Sequence, residues 1–140
     1  MAEATANQIR VRLVTPERIL FEHMATSVEL PSKSGYMEVL YGHAPLMAEL
    51  GAGDVTLNGG PEGMERYNVS WGFVEVLGDR VTILAADALK PSEIDLARAE
   101  KQLDRGLEEW KQAGENEEAY TEALRVIAEA EAKISSAKNQ

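Results

Sequence analysis

Apolar and polar residues alternate with a period of two through the first ninety positions of the chain. In Ile9-Arg10-Val11-Arg12-Leu13 the apolar side chains alternate with arginines, the pattern of a strand with one buried face. Thr15-Pro16-Glu17 turns the chain. Ile19, Phe21, Val28 and Leu30 continue the alternation to a second turn at Pro31-Ser32-Lys33-Ser34-Gly35. Met37, Val39 and Tyr41, then Leu46, Ala48 and Leu50, run to Gly51-Ala52-Gly53. Val55 and Leu57 lead into Asn58-Gly59-Gly60-Pro61, a dense turn signal. Tyr67 and Val69 precede Gly72, and Val74 and Val76 precede Gly78-Asp79. That dipeptide suits a tight hairpin with glycine first. Val81, Ile83 and Ala85 then run back out. Short strands with turns at a spacing of roughly 8–12 residues predict an antiparallel sandwich or barrel, and with no helical pattern between them parallel βαβ topology is disfavoured.

The pattern changes at Pro91. Ser92 is a natural N-cap, and Asp95 three residues later completes a capping-box pattern. Leu96, Ala99, Leu103, Leu107 and Trp110 fall on one helical face, and Gly114 is a C-terminal stop. Asn116 can cap a second helix with the apolar face Tyr120, Ala123, Leu124, Ile127 and Ile134. Glu129 and Lys133 form a favourable pair four residues apart. A connection of a few residues forces the helices to pack antiparallel. Their expected seam holds alanines and about eight large apolar side chains, each contributing ~1.5–3 kcal/mol on full burial. Ordering costs ~1.5 kcal/mol per residue, so the hairpin is marginal by itself and a candidate two-position element. The expected organisation is a loose tail over 1–8, a β-sandwich over 9–88, a hinge over 89–91, a two-helix hairpin over 92–136 and a frayed end over 137–140.

Composition narrows the function. With 140 residues the chain can bury a core without covalent staples. It has no cysteine, which excludes a disulfide framework, a thiol nucleophile and a thiolate metal site. Two histidines without cysteine argue against a zinc or other transition-metal centre. The net charge is −10. Residues 1–87 carry 12 acidic and 6 basic side chains, and residues 88–140 carry 12 and 8. Both parts are acidic, so attraction to nucleic acid or to an anionic membrane is disfavoured. No apolar run reaches the ~20 residues of a membrane span, and the start lacks the features of a signal peptide. A cytoplasmic protein without direct membrane insertion is expected.

Three stretches carry a family resemblance: Gly35-Tyr36-Met37-Glu38-Val39-Leu40-Tyr41-Gly42-His43-Ala44-Pro45-Leu46, Ser70-Trp71-Gly72-Phe73-Val74-Glu75-Val76 with Val81-Thr82-Ile83-Leu84-Ala85, and Ile94-Asp95-Leu96-Ala97-Arg98-Ala99. In this order and spacing they resemble the epsilon subunit of F-type ATP synthases over about residues 9–136. The resemblance implies a β-sandwich of about ten strands followed by an α-helical hairpin. It implies a non-catalytic rotor subunit of the central stalk, peripheral at the cytoplasmic face of a bacterial inner membrane. The implied partners are the gamma subunit, the c-ring and the beta subunits. It also implies a hairpin able to regulate ATP hydrolysis, with ATP as a regulatory ligand in some members and no other cofactor.

Each singled-out residue has two readings. Tyr41, Gly42, His43 and Pro45 form a strand-ending turn with a locally bonded histidine, or, by resemblance, the sandwich end that meets gamma and the c-ring. Tyr36 and Glu38 belong to a solvated turn or to a c-ring contact, where the family commonly has a carboxylate in the position Tyr36 takes. Trp71 stands where the family has glycine, and its indole covers a core or hairpin-facing edge or contacts gamma; Gly72 permits close backbone approach. Ile94, Asp95, Arg98 and Ala99 match the family's nucleotide-sensing motif, with Arg125 as their partner. Yet capping already accounts for Asp95, and Arg98 is its partner three positions on. Glu129 stands where basic members carry an arginine, which weakens phosphate binding. Arg98, Lys101, Arg105, Lys111, Arg125, Lys133 and Lys138 are the cations available to oppose an acidic loop of beta. The rival functions are an unrelated β-sandwich adaptor or ligand-binding module with a helical arm, and an enzyme using Glu38, His43 or Glu75. The first is disfavoured because only eight aromatics are present and several sit on alternating core positions, and nothing in the spacing demands the second.

Overall fold

The computed structural model describes residues 7–139, so the expected tail over 1–8 lies almost wholly outside the described residues. The chain divides into two compact units, 1–88 and 89–140.

Among the described residues the first unit contains seven strands: β1 (Ile9–Val14), β2 (Ile19–Ala25), β3 (Ser27–Ser32), β4 (Gly35–Leu40), β5 (Leu46–Gly60), β6 (Gly63–Leu77) and β7 (Arg80–Leu89). They form one sheet in the order β2-β1-β7-β6-β5-β3-β4. Fifteen residues of β5 or β6 would span about 50 Å if straight, far more than one layer needs. Both strands therefore run through the bend of the sandwich. Register shifts interrupt β5 against β6 between Leu57 and Gly60, and β3 against β5 between Glu29 and Ser32. The fold brings β2 across to β5 and β6. The N–H of Thr26 donates to the Asn58 carbonyl at 2.9 Å, and His23 Nδ1 lies 3.1 Å from Glu65 Oε2. One core fills the interior, drawn from all seven strands, with Val11, Leu13, Leu30, Leu57, Val69 and Ile83 fully buried.

The alternation places this core well, but several expected breaks are continuous strand. Gly51-Ala52-Gly53 and Asn58-Gly59-Gly60 lie inside β5, and the turn falls at Pro61-Glu62. Gly53 is glycine because a Cβ there would run into the Tyr36 phenol. Gly72 lies inside β6 at φ 132°, and a Cβ there would overlap the Leu84 carbonyl oxygen, which is the close backbone approach expected at that position. Seven long strands thus stand in place of the ten shorter ones that the resemblance implied. One pair also departs from antiparallel order: β1 runs parallel to β7, from Arg10 beside Arg80 to Val14 beside Leu84. The rest of the unit connects them, so no crossover helix is needed.

The second unit opens with a 3-10 turn at Pro91–Glu93, followed by α1 (Leu96–Ala113) and α2 (Glu117–Lys138). The capping differs from the expected Ser92–Asp95 box. Glu93 Oε1 accepts from the Lys90 N–H at 2.8 Å. Asp95 is itself the N-cap of α1 and accepts the Arg98 N–H at 3.1 Å. The proline one residue before Ser92 favours a separate tight turn, which shifts the helix start three residues on. Gly114 ends α1 at φ 57°, and Asn116 caps α2 through the Ala119 N–H at 3.0 Å.

The seam between the helices keeps part of the expected one, with Ala99 and Ala123 buried and Leu96, Leu103, Ile127 and Ile134 half-buried, and overturns the rest. Its buried residues are Ala99, Gly106 and Ala113 on α1, seven apart, and Ala123, Ala130 and Ser136 on α2. Small side chains let the backbones approach closely. Leu107, Trp110, Tyr120 and Leu124 are turned outward and remain 40–44 % exposed. The rings of Trp110 and Tyr120 meet on that flank with centroids 6.4 Å apart.

Candidate functional site

Two places combine exposure with chemistry, one in each unit. In the sandwich, β4 ends at Leu40, whose carbonyl accepts the His43 N–H at 3.1 Å and closes a turn over Gly42 at φ 88°. The His43 Nδ1–H donates to the Ala44 carbonyl at 2.6 Å. The Gly78-Asp79 hairpin lies beside it, tied to β1 by the Arg10 N–H on the Asp79 carbonyl at 2.8 Å. Tyr41, Gly42, His43, Gly78 and Asp79 line an open depression of about 400 Å³. Around this end Leu40, Tyr41, Leu46 and Leu77 stand 37–52 % exposed. The histidine ring is engaged with the Ala44 carbonyl, and the apolar side chains around it make this surface suited to binding.

Not all the sandwich residues singled out by sequence join this end. Tyr36 sits at the start of β4, about 17 Å along the strand from Tyr41 at the rise of an extended chain. Its hydroxyl accepts the Asp54 N–H at 2.9 Å, so it braces β4 on β5 while its ring stays exposed. Glu38 pairs directly with Glu29 across β3, two exposed carboxylates side by side. Trp71 lies in β6 at φ 59°, the one left-handed residue other than glycine among those described. Pro45 follows the turn and is exposed. Sequence reasoning missed Leu40, Leu46 and Leu77. The outward phase of the strand alternation is the signal that could have found Leu40 and Leu77.

In the hairpin, the residues of the nucleotide-sensing motif separate by role. Asp95 is held by capping, Ala99 is buried in the helix seam, and Ile94 is half-buried. Arg98 lines a groove of about 400 Å³ with Lys101, Gln102, Arg105 and Glu129. Arg125 is not among its lining residues. The Gln102 amide donates to Glu129 Oε2 at 2.8 Å, and Lys133 Nζ stands 3.6 Å from the same oxygen. Gln102 went unremarked in the sequence. Its signal was position, one helical turn from both Arg98 and Arg105.

Comparison with known proteins agrees with this architecture. The family described as ATP synthase, Delta/Epsilon chain, beta-sandwich domain matches residues 8–91. The ATP synthase epsilon chain of Koribacter versatilis is 38 % identical over 110 residues, 78 % of this chain and 76 % of that one. The chloroplastic ATP synthase epsilon chain of Pyropia yezoensis is 33 % identical over 129 residues, 92 % and 95 % of the two chains, so the likeness extends into the hairpin. Among solved structures, a chain of the Euglena gracilis mitochondrial ATP synthase, from an assembly of OSCP, F1 and c-ring, shares the fold. Its TM-score is 0.77 at 20 % identity, over 95 % of this chain and 82 % of that one. A sandwich of this order, carrying the Gly42-His43-Ala44-Pro45 turn and followed by a two-helix hairpin, therefore has relatives along nearly its whole length, and the chain belongs to the epsilon chain family of the F-type ATP synthases.

Proposed function

We propose that this chain is a non-catalytic rotor subunit of the central stalk, in which the sandwich couples the gamma subunit to the c-ring. It works peripherally, at the cytoplasmic face of a bacterial inner membrane. Its contribution is mechanical: a stiff sandwich passes torque through an interface, and the bond-making of ATP synthesis belongs to other chains. The observation that carries this reading is the exposed apolar rim of Leu40, Tyr41, Leu46 and Leu77 around the His43 turn. Four large apolar side chains gathered at one end of a sandwich mark a protein-binding surface rather than scattered exposure. In isolation the rim is exposed to water, and a partner would cover it.

The test is capture of the gamma subunit from the same organism by the full chain. Binding is expected, and Tyr41→Glu with Leu77→Glu should weaken it about tenfold or more, as loss of a central apolar contact does. Failure of the wild-type chain to bind gamma would sink the coupling role. Deleting residues 91–140 tests the hairpin separately. Its net charge of −5 opposes docking on an acidic loop of beta, so ATP hydrolysis by the reassembled complex should change little. A severalfold rise would make the hairpin an inhibitor instead of a brace.

A further inference from the structure

The sequence contains a single Asn-Gly pair, Asn58-Gly59, near the end of β5. Asparagine is thermolabile, and a glycine after it offers a backbone nitrogen that no side chain shields. That nitrogen can attack the asparagine Cγ. The N–Cγ bond forms, the bond from Cγ to Nδ2 breaks, and Nδ2 leaves as ammonia with the proton of the glycine amide. Water then opens the succinimide ring at either carbonyl, giving aspartate or isoaspartate. Isoaspartate routes the backbone through the side chain and lengthens it by one atom.

The fold builds this pair into a corner. Gly59 has φ 69°, and a Cβ there would overlap the Thr26 hydroxyl, so the position demands glycine. Asn58 stands opposite Ser27 of β3, and its side-chain amide donates to Ser27 Oγ at 3.3 Å. Thr26, between β2 and β3, closes on the same peptide group. Its N–H and its hydroxyl both donate to the Asn58 carbonyl, at 2.9 Å and 3.0 Å. Ring closure needs the Asn58-Gly59 peptide plane to turn its nitrogen toward Cγ. Turning that plane breaks both Thr26 bonds, and moving the side-chain amide breaks the third.

We infer that Asn58 is a site of uncatalysed deamidation, and that the Thr26-Ser27 corner is the gate that keeps it intact in the folded sandwich. Conversion to aspartate leaves a carboxylate that the Ser27 hydroxyl can serve as donor, so the corner survives. Isoaspartate instead pushes β5 out of register with β3, where Asn58, Leu57 and Thr56 face Ser27, Val28 and Glu29. A chain damaged in this way loses the join between β3 and β5. The inference rests on this corner alone and does not depend on coupling by the sandwich.

The experiment is incubation of the full chain at mildly alkaline pH, with peptide mass spectrometry to count deamidation and chromatography to separate isoaspartate from aspartate. Urea denaturation of each variant beforehand establishes that it is folded. The wild-type rate at Asn58 in buffer is expected to lie about tenfold or more below the rate in unfolding urea, the size of two hydrogen bonds that must open first. Thr26→Ala removes the hydroxyl bond and should speed the reaction in buffer about fivefold. Thr26→Ser keeps the hydroxyl and should stay near the wild-type rate. Ile83→Val trims the buried core on β7, away from the corner bonds, and should lower stability without changing the rate. Equal rates in buffer and urea, or a wild-type rate in Thr26→Ala, overturn the gate. So does an acceleration by Ile83→Val that matches Thr26→Ala, since opening of the whole sandwich would then control the reaction. An Asn58 that stays unmodified in urea overturns the site itself. The isoaspartate fraction is expected to lose hydrogen-exchange protection in β3 that Asn58→Asp retains, and equal protection in the two overturns the damage assigned to isoaspartate.

Discussion

Substituting Gly106 by alanine sets two opposite effects against each other, and the structure decides between them. In an exposed helix interior the change favours the helix by ~1 kcal/mol. Here a Cβ would lie 2.9 Å from Ile127 Cγ1, 3.0 Å from Val126 Cγ1 and 3.3 Å from the Ile127 backbone nitrogen. Comfortable carbon contacts fall at ~3.5–4.0 Å. Valine and isoleucine are confined largely to one χ1 rotamer within a helix, so neither can swing aside. The helices must separate by several tenths of an ångström, which loosens the Ala99, Ala113, Ala123 and Ala130 contacts on either side. Overpacking of this kind costs ~1–3 kcal/mol. Set against the gain in propensity, the net loss is ~1 kcal/mol, about fivefold in the opening equilibrium of the hairpin. Hydrogen exchange of α1 and α2 in the full chain measures it directly. Adding Ile127→Ala removes the nearest obstacle, so the double variant should lose less than the two single losses combined. A rise in protection for Gly106→Ala alone, as propensity by itself demands, refutes a close-packed seam.

Two further substitutions read the backbone. Trp71 adopts φ 59°, where an L-residue pays ~1–2 kcal/mol and glycine pays nothing. Glycine and alanine both remove the indole, so Trp71→Gly should exceed Trp71→Ala in stability by ~1 kcal/mol in urea denaturation; equal midpoints would mean that the strain is absent. Asp95→Ala removes the cap on the Arg98 N–H and should cost ~1 kcal/mol in the first turn of α1. Asp95→Asn should retain most of that, and equal losses in the two variants would show that the charge matters rather than the cap.

The alternation in the sequence located most of the sandwich core because burial in a strand follows a period of two, although Ile19, Tyr41 and Leu46, at or next to strand ends, are exposed. Ile9, Val11, Leu13, Val28, Leu30, Val74, Val76, Val81 and Ile83 are all interior. Glycine was the residue most easily misread. At Gly51 and Gly53 it signals the approach of another strand or a phenol ring, and only the folded neighbours distinguish that from a turn. The helix pair misled for a related reason. Leucine and tryptophan at helical spacing mark an apolar stripe, but nothing local says whether that stripe or the Ala99-Gly106-Ala113 row meets the partner helix. The seven-residue spacing of the small residues was the available clue. The nucleotide motif was legible as letters, while its roles needed geometry. Arg98 lies in a groove with Glu129, and Asp95 and Ala99 are occupied with capping and packing.

The placement of large and small side chains bears on why the hairpin is a separate unit at all. A seam centred on alanine and glycine, with Val126 and Ile127 against Gly106, buries little apolar area per turn, and at ~25 cal/mol per Å² it offsets only part of the ordering cost of two helices. Leucines turned inward would have stabilised the pair much further. Instead Leu107, Trp110, Tyr120 and Leu124 lie on one flank, where their burial is deferred to whatever covers them. The Gln102–Glu129 bond then matters out of proportion to its size, because it holds together helices whose packing alone holds them weakly. An arm built this way would change its neighbours at lower cost than the sandwich, whose core is drawn from all seven described strands. Stiffness in one unit and conditional stability in the other are what a subunit needs if it must transmit torque through one part and respond to its surroundings through the other.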